Sequence, residues 1–212
     1  MSRKRRQDIF LEDVTIENVA AEGKAFAHVF LQGDDCSGSG RILFVPFAVP
    51  GDVVDVQVTR KKKNYLEGRI INVKKLSQDH LEPFCEHFGV CGGCKWQTLP
   101  YDIQLQAKQR QVYDQLTRIG HLELPQLSPI IGSQNTKFYR NKLEYSASDR
   151  RWMLSGENPE LLSDAEKAGL GFHVGKFFDK VLDINRCWLQ SEPSNEIRLF
   201  VKHYCTSKSL SF

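Results

Sequence analysis

Cys85, Cys91 and Cys94 form a C-x5-C-x2-C pattern, with Gly92 and Gly93 filling the short gap. Two thiolates three positions apart can share one metal centre, and the glycines let backbone N–H groups approach sulfur. The spacing lies near the C-x4-C-x2-C form of plant-type ferredoxins, which take a distant fourth cysteine. Of the chain's six cysteines, Cys187 is the best fourth ligand: in INRCWLQ (184–190) it follows a β-type run and sits beside Trp188, an aromatic able to shield a cluster from water. Cys36 stands in a Gly/Ser turn. Cys205 shares a helical pattern with core-type residues, where a small buried thiol is the usual explanation. Four thiolates, or three with His80, His87 or His121, also suit structural zinc, so spacing alone leaves iron–sulfur and zinc even.

A second set of residues suits anion binding. RKKKNY (60–65) combines Arg60, Lys61, Lys62 and Lys63 with Tyr65, the mixture that follows a phosphate backbone and stacks a base. A solvated turn is the bland alternative. In FYRNK (138–142), strand geometry puts Arg140 and Lys142 on one face and Asn141 on the other. A strand-edge pair between Arg140 and Glu144 competes with that reading. His87, Phe88 and Trp96 flank the cysteines; core packing is the safer assignment for Trp96.

Composition bounds these readings. The net charge is +3, and residues 1–75 hold 13 Lys/Arg against 10 Asp/Glu while residues 76–212 hold 16 of each, so the excess sits in the first third. It concentrates at Arg3 to Arg6, at Arg60 to Lys63 and at Lys74 with Lys75. No apolar run approaches the ~20 residues that span a bilayer, which argues against a membrane protein. The opening MSRKRRQDIF lacks an apolar stretch after its basic residues, so it does not read as a secretory signal, and a cytoplasmic location follows. In reducing cytosol the cysteines point to metal or catalysis rather than disulfides.

The elements that must position these groups fall into two domains, 1–76 and 77–212. Residues 8–75 alternate β-type runs with turn signals, predicting a five-stranded barrel with strands at Ile9–Val19, Lys24–Phe30, Arg41–Val45, Asp52–Arg60 and Glu67–Lys75. In the fourth, Val54, Val56 and Val58 face the core and Asp55, Gln57 and Thr59 face water. The polar SQDHLEPF (77–84) marks the boundary. A surface helix on the cluster domain follows, capped near Thr98 and Pro100, with Tyr101, Leu105, Val112, Leu116 and Ile119 on one face and Gly120 ending it. Strands are predicted at Leu127–Ile131, Phe138–Ser148, Leu170–Val174 and Phe177–Ile184, and a polar loop at 155–169. Ile197, Phe200, Val201 and Tyr204 then recur at helical spacing. The fold class is mainly β with an α+β part.

FCEHFGVCGGCKWQTLPYDIQLQAKQRQVYDQLTRIG (84–120) resembles the signature of the bacterial RNA uracil-C5 methyltransferases. RILFVPFAVPGDVVDVQVTRKKKNYLEGRI (41–70) resembles their N-terminal TRAM domain, a small OB-like barrel. FYRNKLEYS (138–146) and DINRCWLQ (183–190) match later landmarks of their central domain. The resemblance implies a [4Fe-4S] cluster on Cys85, Cys91, Cys94 and Cys187, and an RNA path lined by Arg140, Asn141 and Lys142. It also implies a reaction in which a cysteine adds to C6 of a splayed-out uridine, a methyl passes from S-adenosylmethionine to C5, and a base removes the C5 proton. Neither a glycine-rich strand-to-helix turn nor a proline-flanked catalytic cysteine occurs in this sequence.

The expectation is therefore an N-terminal fragment without catalytic residues, S-adenosylmethionine belonging to an absent C-terminal domain. Its share of the work is to grip RNA, 23S rRNA by family resemblance, as a monomer pinned by a structural cluster. A transfer RNA methyltransferase fragment, a stand-alone RNA-binding protein and a ferredoxin-like electron carrier are the rival readings.

Overall fold

Period-two alternation in the first third of the chain folds as one mixed sheet of six strands. These are β1 (Ile9–Thr15), β2 (Asn18–Val19), β3 (Lys24–Val29), β4 (Arg41–Pro46), β5 (Val53–Lys61) and β6 (Tyr65–Lys75), in the order β1-β5-β6-β4-β3-β2. The computed structural model describes residues 8–211 apart from 32, 35–37, 176 and 178. Arg3 to Arg6 and Cys36 lie outside the described residues. The chain divides into two compact units: residues through Glu82 with Lys95–Gly132, and Pro83–Cys94 with the residues from Ser133 onward.

Six strands replace the expected five because the first breaks. The β1–β5 register shifts between Leu11 and Val14, where Asp13 takes a φ of 52°. Ile16 then turns inward, 1% exposed, and donates its N–H to the Asp52 carbonyl, while Glu17 donates to Phe26. The two outermost strands of the sheet are thus separated by only two residues of chain. Ile16, Leu43, Val45, Val54, Val56 and Leu66 fill the core. Asp55, expected to face water, is buried: it accepts from the Asp13 N–H and from Asn72, and pairs with Lys74 at 3.4 Å. The Asn72 hydrogen bond leads in lowering its pKa.

The VPGD turn is built on a buried carboxylate. Asp52 accepts from the N–H groups of Val49 and Ser77, both at 2.8 Å, and from His80 Nδ1 at 3.0 Å. Gly51 supplies the left-handed φ of 90° that the turn requires.

Helix α1 (Tyr101–Asp114) continues into a wider turn at Gln115–Ile119 and ends at Gly120, as the pattern predicts. It belongs to the sheet's unit, not to the cysteine unit on which it was expected to lie. Gln104 anchors its start by donating to the carbonyls of Trp96 and Leu99, and no side chain caps Pro100. A cleft of about 360 Å³ separates part of the helix from β2 and β3, lined among others by Val19, Phe26, Ala107 and Gln111. Trp96 is half-buried and packs close to Gly23, outside the sheet's core cluster.

In the second unit, β7 (Ser146–Ser148), β8 (Gly169–His173) and β9 (Val181–Asp183) form an antiparallel sheet in that order. The predicted strand at 127–131, which lies in the first unit, is absent; the Gln109 amide holds that segment instead, donating to Ser128 and accepting from Ile130. The predicted strand at 138–148 survives only as β7 and one bridge between Arg140 and Gln190. Within the predicted loop, Ser163 and Glu166 form a reciprocal cap on the short helix α2 (Asp164–Lys167).

Helix α3 (Ser194–Ser207) reverses the expected orientation. Asn195 and Arg198 are buried, 4% and 3% exposed, whereas Ile197, Phe200, Val201 and Tyr204 are exposed. The inward face is polar because it satisfies buried backbone: Arg198 donates to the carbonyls of Leu170, Ile184 and Asn185. Among the described residues, no helix is long and apolar enough to cross a membrane.

Candidate functional site

The second unit brings Cys85, Cys91, Cys94 and Cys187 together. Cys91 feels the charges of Cys94, Cys85 and Cys187; Cys85 feels Cys94 and Cys187; Cys187 feels Cys94. Burial is the main force pushing the Cys85, Cys91 and Cys187 thiols up. Backbone N–H groups oppose it: His87 donates to Cys85 sulfur, Gly93 to Cys91, and Leu189 with Gln190 to Cys187. Of the two glycines between Cys91 and Cys94, Gly93 brings its amide to sulfur and Gly92 does not.

Local packing explains how the pieces hold. Cys91 bridges Val174, and Gly92 donates its N–H to the His173 carbonyl at 3.1 Å. A Cβ on Gly92 would stand 2.7 Å from that oxygen, so the approach requires glycine. Cys187 is 7% exposed, and the Asn195 amide clamps its backbone from both sides. Sequence reasoning missed Asn195 and Arg198; both are polar residues on a helix whose apolar spacing drew attention elsewhere.

Arg198 brings a buried positive charge to this region. Its guanidinium lies 5.6 Å from the Tyr145 ring, and charges on Asp183 and Cys187 favour it against the cost of desolvation. Tyr145 OH, Ser194 Oγ and the Arg198 guanidinium are buried side by side, and Tyr145 interacts with both.

Two of the histidines considered as zinc ligands have hydrogen-bond partners of their own. His80 pairs with Asp52 in the first unit, which also contains His121. His87 is buried and accepts the Asn185 N–H on Nε2 at 2.9 Å, and desolvation lowers its pKa. Among the described residues, no three His, Cys, Asp or Glu side chains converge closely enough to hold one metal ion.

The basic run lies at the β5–β6 hairpin of the first unit. Arg60, Lys61, Lys62 and Lys63 are exposed, and Tyr65 stacks edge-on against Phe44 with centroids 5.8 Å apart. Lys62 N–H donates to the Tyr65 carbonyl and Arg41 to that of Lys63, so the hairpin is held by backbone while its cations point out. Arg60 has Glu67 at 3.9 Å, and Lys61 acts through its charge on Asp34.

At 138–142 the strand geometry expected for Arg140, Asn141 and Lys142 is replaced by an irregular segment. Lys142, not Arg140, pairs with Glu144, at 2.7 Å. The Asn141 carbonyl accepts from Gln190, and the Arg140 N–H donates to the Leu189 carbonyl.

Residues 12–71, which include most of the six-stranded sheet, match the TRAM domain family. The chain is 48% identical over 193 residues to a protein of Porphyromonas gingivalis named an uncharacterized RNA methyltransferase, a match covering 90% of this chain and 40% of the relative. An RNA methyltransferase so named from Chlorobaculum tepidum is 35% identical over 209 residues, 98% of this chain and 41% of its own. The chain therefore spans about two-fifths of the length of the curated relatives it matches. Its fold resembles the crystal structure of Pyrococcus abyssi tRNA (uracil-54, C5)-methyltransferase in complex with S-adenosyl-L-homocysteine, with a TM-score of 0.51 at 21% identity over 93% of this chain and 37% of that one.

Proposed function

We propose that this chain is the RNA-gripping part of a cytoplasmic, S-adenosylmethionine-dependent RNA uracil-C5 methyltransferase acting on 23S rRNA. The sheet of residues 1–76 binds RNA through Arg60, Lys61, Lys62, Lys63 and Tyr65. Residues 77–212 hold a [4Fe-4S] cluster on Cys85, Cys91, Cys94 and Cys187 and guide RNA past Arg140, Asn141 and Lys142. Methyl transfer, the S-adenosylmethionine site and the nucleophile belong to sequence that the longer relatives have in addition.

The observation that carries this reading is the gathering of four thiols from two distant stretches into one amide-lined unit. A single zinc ion would draw its ligands to about 2.3 Å from one point. The thiols here share one another's fields, and four thiolates without a histidine are the ligand set the cluster reading requires. Amides directed at sulfur and the cation of Arg198 suit a thiolate cluster of net negative charge. When bound, the group cross-links the segment at Cys85–Cys94 to the strand end at Cys187; uracil methylation by this route requires no electron. The exposed cations of the hairpin supply the RNA half of the reading.

Anaerobically prepared protein should contain iron and acid-labile sulfide in equal amounts, and zinc alone would reverse the assignment. Cys91→Ala should unfold the second unit; a well-folded, RNA-binding variant would contradict the structural role. The longer protein should methylate uridine in 23S rRNA, and transfer confined to tRNA would replace the substrate.

A further inference from the structure

Three stretches far apart in sequence meet around Trp188 in the second unit. The Phe84 and Trp188 rings lie edge to face with centroids 6.0 Å apart, and Phe138 is 5.7 Å from Trp188. Lys137 Nζ stands 4.3 Å from the Phe84 centroid and 4.8 Å from that of Trp188. The Arg186 guanidinium stands 4.3 Å from Trp188 and 5.9 Å from Phe138. Backbone bonds from Phe138 N–H to the Trp188 carbonyl and from Arg140 N–H to the Leu189 carbonyl, both 2.8 Å, fix the register. Phe138 holds a φ of 55°, a left-handed conformation uncommon for an aromatic residue.

These rings are not filling a core. Phe84 and Phe138 remain 39% and 37% exposed, and adjacent Tyr139 is 55% exposed. The surrounding charge is mostly positive: Lys137, Arg140, Lys142 and Arg186 are answered by Glu144 on Lys142 and by Glu192 on Arg186 at 3.8 Å. Among the described residues, Lys137 and Arg140 form no ion pair with a carboxylate. Exposed π-faces interleaved with uncompensated cations match the requirements of an unpaired nucleotide, whose base stacks and whose phosphate needs a countercharge. A double helix hides its base faces, and an acidic peptide has none to stack.

We infer that Phe84, Phe138 and Trp188, with Lys137, Arg140 and Arg186, form a stacking platform for single-stranded RNA. An unpaired base lies on the exposed Phe84 or Phe138 ring, and Lys137 and Arg140 take the flanking phosphates. This rests on the RNA reading above but adds residues and a strand preference that the reading does not contain. The cation–π contacts preset the ring positions, so little ordering is left for binding to cost.

The test is fluorescence anisotropy of the 212-residue chain with a labelled single-stranded RNA of about ten nucleotides, within the range of such surfaces. The double variant Phe84→Leu, Phe138→Leu keeps apolar bulk and should bind about tenfold more weakly, the size of one lost base stack. Its salt slope should not change, because no cation is removed, whereas Lys137→Met should lower the slope by about 0.7. An RNA lacking its bases should bind the wild type no better than the double variant binds intact RNA. Equal binding of intact RNA by wild type and double variant overturns the platform and leaves the RNA reading standing. Absence of any RNA binding by the wild type overturns both. Should the double variant fail to fold, the base-free RNA decides with wild-type protein: equal affinity for both RNAs rejects the platform.

Discussion

Asn195 holds Cys187 by its backbone: its side-chain oxygen accepts the Cys187 N–H at 2.8 Å, and its side-chain nitrogen donates to the Cys187 carbonyl at 3.0 Å. One amide thus does for the fourth cysteine what a neighbouring strand would do. Removing it leaves a buried N–H and a buried carbonyl unpaired, each costing about 1–3 kcal/mol. Asn195→Ala should therefore lower the unfolding midpoint of the second unit and reduce bound iron per chain. Full iron loading with an unchanged midpoint would show that Cys187 is positioned by something else.

Asp52 plays the corresponding part in the first unit, where two N–H groups and His80 converge on one buried carboxylate. Asp52→Ala strips all three donors of their acceptor and should destabilise the sheet by about 2–3 kcal/mol. Urea unfolding followed by far-ultraviolet circular dichroism reads this directly; a loss below about 0.5 kcal/mol, the size of an ordinary surface substitution, would contradict it.

The first sheet was legible in the sequence because period two encodes a half-buried strand, and the cysteine spacing singled out the segment that the fold brings near Cys187. The break at Ile16 was not, since a bulge with Asp13 at positive φ leaves no periodic mark. Helical spacing told which α3 residues share a face, but not which face turns inward, and Asn195 and Arg198 took the buried side. Alternation at 138–148 looked like a strand, yet a strand needs a partner, and among the described residues only β7 finds one beyond the single bridge of Arg140 to Gln190. The aromatic strip escaped notice because Phe84, Phe138 and Trp188 meet only in the folded chain.

Glu157 makes the second unit acid-sensitive in a defined window. Hydrogen bonds from Arg151 first, and from the Leu154 N–H second, hold its carboxyl down to about 2, against 4.5 for an ordinary glutamate. The folded state therefore binds its proton less readily than the unfolded state, and the stabilisation is present above about pH 4.5 and lost as pH falls toward 2. Glu157→Gln should lack that component of the pH dependence. Thermal unfolding at pH 7, 4 and 2.5 should show the wild type converging on the variant as acid is added; parallel curves would rule the linkage out.

The hairpin cations predict a salt signature. Each lost phosphate contact on single-stranded RNA reduces the slope of log affinity against log salt by roughly 0.7, so Lys61→Gln, Lys62→Gln and Lys63→Gln together should lower it by up to about 2. The backbone bonds at Lys62 and Lys63 do not involve the substituted side-chain ends, so the fold should be retained. An unchanged slope in a folded triple variant would remove the hairpin from the RNA surface.

Gly92 offers the sharpest test of how the cysteine segment is seated. Its N–H binds the His173 carbonyl at 3.1 Å, and an added methyl would stand 2.7 Å from that oxygen. The obstructing atom is backbone in β8, so relief requires the segment to lift away, breaking the Cys91–Val174 bridge. Gly93 lies one residue on, where an added Cβ meets only Cys91 sulfur at 3.6 Å, an ordinary contact. Gly92→Ala should therefore lower iron content and destabilise the second unit, while Gly93→Ala should be tolerated. Equal behaviour of the two variants in iron assay and thermal unfolding would mean that the close approach to His173 does not decide how the thiols are presented.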